Sequence, residues 1–234
     1  MFTQTMILDD RECQIQGDEE PSFVLIQPVD DHDREVLDEE WQAIRAAGAP
    51  SLLVTVPVLD WGRELLPWKA KLPFGLEPDS AEAGAMLSRI TGKIVPALKK
   101  SFADVTFVIG GYSLAGLFAL WSSYQTDLFA GCAAASPSLW VEGWLDYARE
   151  NAPLARYYSL SLGDREERAK NPVLKTIGEC MRRQDEILES DCVTGRGNIR
   201  NVQFQMNPGN HFQHNGKRTG DAFTEVIRMS RENP

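Results

Sequence analysis

Residues 105–121, VTFVIGGYSLAGLFALW, restrict the fold of this chain more than any other stretch. Val105, Thr106, Val108 and Ile109 make a β-branched apolar run of the kind that fills a buried strand. The run ends in Gly110-Gly111-Tyr112, Ser113 follows, and Leu114-Ala115-Gly116 opens an apolar helix pattern. A strand that turns directly into a helix is half of a parallel βα unit, and a serine at the tip of so sharp a turn has a strained backbone. Such a serine needs neighbours with little or no Cβ, and Gly111 and Ala115, two before and two after it, meet that need. The turn sets the hydroxyl above the strand end, beside helical N–H groups that stabilise an oxyanion. Read without its context, Gly-Gly-Tyr-Ser is equally an ordinary tight βα connection.

The rest of the chain repeats the alternation. SFVLIQ, SLLVTVPV, GCAAAS, YYSLSLG and NVQFQMN read as strands. Helical patterns cover DREVLDEEWQAIRAAG, Ser80 to Lys100, the segment after Leu114, a short helix between Trp140 and Asn151, Pro172 to Ser190, and Gly216 to Ser230. The first twenty residues fit an antiparallel strand or hairpin. Strands separated by helices predict an α/β fold: a doubly wound, mostly parallel sheet with helices on both faces. With no repeat, low-complexity tract or composition shift, residues 1–234 read as one domain. Ligands of such sheets bind beyond the carboxyl ends of the strands.

Composition narrows the function classes. A net charge of −10 and a pI near 4.9 argue against a nucleic-acid partner and against an anionic membrane surface. No apolar run approaches the roughly eighteen residues of a membrane span. The start, MFTQTMILDDREC, lacks the basic and apolar regions of a signal peptide, so the expected location is cytoplasmic. Cys13, Cys132, Cys180 and Cys192 are scattered without a C-x-x-C pair or a histidine at metal-ligand spacing. Free thiols and no metal are therefore expected. Nothing in the sequence encodes an oligomeric state.

A serine nucleophile needs a base and a carboxylate to orient it. The chain has three histidines. His32 lies in an acidic stretch before the first helix. His211 follows the last strand in Asn207-Pro208-Gly209-Asn210-His211, on the edge where the serine turn opens, and His214 is its competitor three residues on. The acid should leave a strand lying between serine and histidine. YYSLSLG runs into Asp164-Arg165-Glu166-Glu167, and all three carboxylates fit. Asp164 is nearest the strand, while Glu166 has the reach of a loop position. Trp61, Trp68, Trp140 and Trp144 lie in irregular stretches expected to overhang the serine, as pocket walls or as core.

Gly111-Tyr112-Ser113-Leu114-Ala115-Gly116, Ala135-Ser136-Pro137-Ser138-Leu139-Trp140, Gly163-x-x-Glu166 and Gly209-Asn210-His211 occur in the serial order of the α/β-hydrolase superfamily. Over roughly residues 22 to 230 the chain resembles its esterase branch, which includes siderophore (enterochelin-type) esterases and S-formylglutathione hydrolases. The resemblance implies a serine esterase acting on a small-molecule ester or thioester, with Ser113 as nucleophile, His211 as base, Glu166 as acid and no cofactor. It implies oxyanion donation from the Leu114 N–H. The second donor of the family follows an early strand, often in a His-Gly-x sequence; here Gln27-Pro28-Val29 stands in that place, and Pro28 has no N–H, which leaves Val29. That departure keeps a second reading open: a hydrolase fold retained as a non-catalytic small-molecule binding or interaction module. Ala115 where glycine is usual is a milder departure, common in the superfamily.

Overall fold

The computed structural model describes residues 2–75 and 77–233, with Phe74 described by its backbone alone; Met1, Leu76 and Pro234 lie outside the described residues. The strands are β1 (Phe2–Leu8), β2 (Arg11–Gly17), β3 (Phe23–Val29), β4 (Ser51–Pro57), β5 (Thr106–Tyr112), β6 (Gly131–Ala135), β7 (Tyr157–Gly163) and β8 (Asn201–Asn207). The helices are α1 (Asp31–Arg34), α2 (Leu37–Arg45), α3 (Trp61–Glu64), α4 (Ala83–Arg89), α5 (Val95–Ser101), α6 (Leu114–Ser122), α7 (Trp144–Glu150), α8 (Ile177–Thr194) and α9 (Asn215–Glu232). Among these residues one sheet forms, in the order β1-β2-β4-β3-β5-β6-β7-β8. β1 pairs with β2 and β2 with β4 antiparallel, as the N-terminal residues predict, and every later pairing is parallel.

Strand alternation divides the core in two. Val24, Ile26, Val54 and Ile109 point to one face, under side chains of α4, α5, α6, α7 and α8. Leu25, Leu53 and Val108 point to the other, where Trp41 and Ile44 of α2 meet Phe223, Val226 and Ile227 of α9. α6, apolar around its whole circumference, is buried at every position from Leu114 to Ser122.

Three helical expectations change in detail. DREVLDEEWQAIRAAG divides into α1 and α2, because the Asp30–Asp33 capping box starts a short helix that stops at Glu35 before Leu37 begins the next. The predicted Ser80–Lys100 helix runs through α4 and α5 with a π-helical turn, Ile90–Ile94, between them. α8 starts only at Ile177, since a turn at Pro172 leads into a tighter 3₁₀ turn, Leu174–Thr176. All four cysteines are free, as expected. No described helix is long and apolar enough to cross a membrane.

α9 lies so close to the sheet that Gly110 has no room for a side chain. A Cβ there would come within 2.4 Å of the Phe223 ring and 2.9 Å of the Ala133 carbonyl. Gly110→Ala should therefore destabilise the fold by about 1–3 kcal/mol through overpacking. In a thermal melt followed by circular dichroism, this corresponds to a drop of roughly 2–4 °C for each kcal/mol. A wild-type melting temperature in this variant would show that α9 has slack at this contact.

Candidate active site

β5 delivers Ser113. Its backbone has φ 57° and ψ −119°, a conformation that L-residues other than glycine rarely take. The turn closes because Gly111 and Ala115 face each other: a Cβ on Gly111 would lie 2.6 Å from that of Ala115. The Ser113 N–H donates to the Ala135 carbonyl of β6 (3.1 Å), and the Ser113 carbonyl receives the N–H of Leu117 (3.0 Å) and of Ser138 (3.0 Å). Backbone on three sides thus holds the strained residue. As the first residue of α6, Leu114 has an N–H with no intrahelical acceptor.

The loop after β8 brings in the histidine. His211 Nε2 lies 3.0 Å from Ser113 Oγ, and its Nδ1 lies 2.7 Å from Glu166 Oε2. The Tyr112 hydroxyl, donating to the His211 carbonyl at 2.8 Å, fixes that loop to β5. Glu166 stands in a 3₁₀ turn, Glu166–Arg168, just beyond β7, and is 5% exposed. Its Oε1 accepts from the Ser136 hydroxyl (2.7 Å), the Gly163 N–H (2.8 Å) and Arg218 Nη1 (2.9 Å). Burial works against the charge on Glu166, yet hydrogen bonds from His211, Ser136 and Gly163 leave its pKa below the ordinary carboxylate value.

The other candidates fall elsewhere. Asp164 is exposed, and its Oδ1 accepts the Gly209 N–H at 2.8 Å, so it braces the histidine loop from outside. Glu167 pairs with Arg182 at 3.2 Å. His214 is exposed, in a left-handed conformation (φ 58°), at the start of α9. His32 is exposed on α1. Of the four tryptophans, Trp140 lines a cavity of about 380 Å³ beside Glu166 and His211, together with Ala169, Leu174, Ile177 and Phe212. Trp144 is fully buried core and donates to Gln184, and Trp68, half-buried, stacks on it with centroids 6.4 Å apart.

Val29 is turned away from the serine. Its carbonyl accepts the Val58 N–H at 2.9 Å, on the β4 side. A parallel strand turns the N–H and C=O of one residue toward the same neighbour, so the Val29 N–H also faces β4. This corrects the expectation placed on Val29, since a motif match cannot show to which side an N–H turns. The next N–H in the chain that faces the opposite way is that of Asp30, which donates to Asp33 Oδ2 at 3.3 Å.

Sequence reasoning also left Arg218, the Tyr112 hydroxyl and the separate tasks of Ser136 and Ser138 unassigned. Ser138 Oγ lies 3.3 Å from Ser113 Oγ. The Ser-Pro-Ser-Leu-Trp segment was a signal for the two serines; nothing in the sequence marked Arg218.

No protein-family model matches the chain, and no curated protein matches it. Solved structures do. An IroE-like serine hydrolase from Shewanella oneidensis superposes with a TM-score of 0.73 at 14% identity, covering 97% of this chain and 79% of that one. Siderophore hydrolase EstA from Aspergillus nidulans gives 0.68 at 17% identity over 94% and 90%. Enterobactin hydrolase IroE, in complex with DFP, gives 0.61 at 17% identity over 97% and 93%. The strand order, the turn at Ser113 and these superpositions together give the chain the α/β-hydrolase fold.

Proposed function

We propose that this protein is a serine hydrolase that cleaves a carboxylic ester or thioester of a small molecule through an acyl-enzyme. The observation that carries this reading is the unbroken hydrogen-bond chain Ser113 Oγ, His211 Nε2, His211 Nδ1 and Glu166 Oε2, at 3.0 and 2.7 Å. In this reading His211 takes the Ser113 proton as Oγ attacks the carbonyl carbon, and then gives it to the leaving group. Water, activated by the same imidazole, releases the acid and restores the serine. Glu166 fixes the tautomer with the proton on Nδ1 and stabilises the imidazolium that forms. The cavity lined by Trp140, Leu174, Ile177 and Phe212 suits an acyl or aryl group.

The oxyanion would be held by the Leu114 N–H and, in place of Val29, by the Asp30 N–H. β3 and β5 pair at Ile26 and Ile109, and carrying that register forward four residues brings Asp30 level with Ser113. One observation favours the second reading, a non-catalytic binding module: Asp33 already accepts the Asp30 N–H. Burial and the neighbouring Asp30 push the Asp33 carboxyl up to about 7, while the Asp30 N–H bond works the other way, so donation to an oxyanion requires Asp33 to give up this contact.

A fluorophosphonate probe separates the two readings without knowledge of the substrate. The wild-type chain should be labelled on Ser113, and Ser113→Ala should lose both the label and at least about 10³-fold in hydrolysis of a p-nitrophenyl ester. His211→Ala should match it, whereas His214→Asn, which suits the left-handed backbone, should cost less than about tenfold. A wild-type chain that takes no label would support the binding module instead.

The two acids are separated by a pair of amides. Glu166→Gln should lower kcat by up to about 10⁴-fold, because the amide cannot be relied on to hold the productive imidazole tautomer. Asp164→Asn keeps an oxygen for the Gly209 N–H and should cost less than about tenfold. The reverse ranking on one ester would transfer the role to Asp164.

A further inference from the structure

Arg218 is one of the largest fully buried side chains, 2% exposed, on the face of α9 turned to the sheet. Its Nη1 donates to Glu166 Oε1 (2.9 Å), the Tyr112 hydroxyl (3.1 Å) and Ser136 Oγ (3.3 Å). Its Nη2 donates to the carbonyls of Pro208 (2.9 Å) and Asn210 (3.1 Å). These acceptors come from β5, the end of β6, the turn after β7 and the loop that carries His211. Glu166 therefore shows one oxygen to a fixed cation and the other to the imidazole.

We propose that Arg218 is a positioning residue that sets the proton affinity of the His211–Glu166 pair, by neutralising the far oxygen of Glu166 while clamping the histidine loop. The proposal rests on the reading of Ser113, His211 and Glu166 as a triad. A buried carboxylate without a cation holds a proton tightly, on itself or shared as an imidazolium ion pair. Either state removes the free imidazole that a base requires. Because the two groups titrate together, the affinity belongs to the pair and does not depend on which atom carries the proton. A guanidinium does not lose its own proton, so the correction holds across the working range of pH.

Other charges near the pair are less well placed. On the same loop, Asp164 is exposed and lies 3.7 Å from Arg165, and Arg165 and Arg168 are exposed residues at the cavity wall. From β5 comes only the Tyr112 phenol, which burial and the charge of Glu166 keep protonated. Arg218 and Glu166 are the two whose side chains are both 2% exposed, where salt screens least.

The test titrates the His211 ring directly by NMR in the full chain, with the other two histidines identified by His32→Gln and His214→Asn. The acid limb of kcat/KM on a p-nitrophenyl ester is followed in parallel. Arg218→Met should move the His211 midpoint and the acid limb to higher pH by at least about one unit. Arg218→Lys, which keeps the charge but not the fork, should stay within about half a unit of wild type while kcat falls. Tyr112→Phe removes a tether to the histidine loop but no charge and should leave the midpoint in place. An unchanged midpoint in Arg218→Met, or a shift in Arg218→Lys as large as that in Arg218→Met, overturns the proposal in favour of a purely structural clamp. If Arg218→Met does not fold, Glu166→Gln reads the same charge from the other side. The unpaired cation should then drive the His211 midpoint below the free-imidazole value of about 6.5, and a midpoint at or above it overturns the proposal. A chain that shows these shifts but hydrolyses no ester would refute the hydrolase reading and leave the electrostatic one standing.

Discussion

The pairing of Glu166 with Arg218 takes two full charges out of water together, at a desolvation cost of several kcal/mol for each ion. That cost is tolerable only when almost every remaining polar direction is filled. Ser136, the Gly163 N–H and His211 complete Glu166, while Tyr112, Pro208 and Asn210 complete the two terminal nitrogens of Arg218. Nε of Arg218 is buried without a partner. The pair thus demands that the ends of β5, β6 and β7 and the loop after β8 converge within one hydrogen-bond shell. α9 must also press hard against the sheet to bring the guanidinium in, which is why its contact at Gly110 has no room for a methyl group.

The segment from Ser136 to Trp140 shows how a short stretch distributes its work. Ser136 reaches down to Glu166, and Ser138 reaches up to the backbone and hydroxyl of Ser113. Trp140 closes the cavity wall. Pro137 between the two serines restricts the backbone, so the alternation in direction is set by a rigid link. One loop thereby touches Glu166, Ser113 and the cavity wall together.

Much of this was readable from residue order alone. Short apolar runs alternating with helical patterns located the strands, and the scarcity of histidine left few choices for a base. The acid stayed open among Asp164, Glu166 and Glu167, because reach around a turn depends on coordinates; the loop position of Glu166 and the family resemblance both favoured it without excluding Asp164. Val29 was misassigned because a sequence match places a residue at a strand end without showing to which side its N–H turns. Arg218 was invisible for a different reason. In GKRTGDAF an arginine reads as part of a solvated helical face, and only the close approach of α9 to the sheet reveals that this one points inward. The π-helical turn at Ile90–Ile94 left no trace, since hydrophobic spacing tolerates one extra residue in a long helix.

Three residues at this edge, Ser113, Ser136 and His214, hold left-handed backbone angles that a glycine would take without penalty. Each such position costs on the order of 1 kcal/mol or more, drawn from a fold whose total margin is only about 5–15 kcal/mol. Random drift toward glycine at position 113 would leave a sturdier molecule with no hydroxyl at its tip. What the fold gains from the side chain there is its hydrogen-bond contact with His211 and Ser138, roughly 0.5–1.5 kcal/mol each. A lineage freed from any need for that hydroxyl would be expected to lose it first and to gain thermal robustness as it did so, so heat stability across such variants would record whether position 113 is still held to a task.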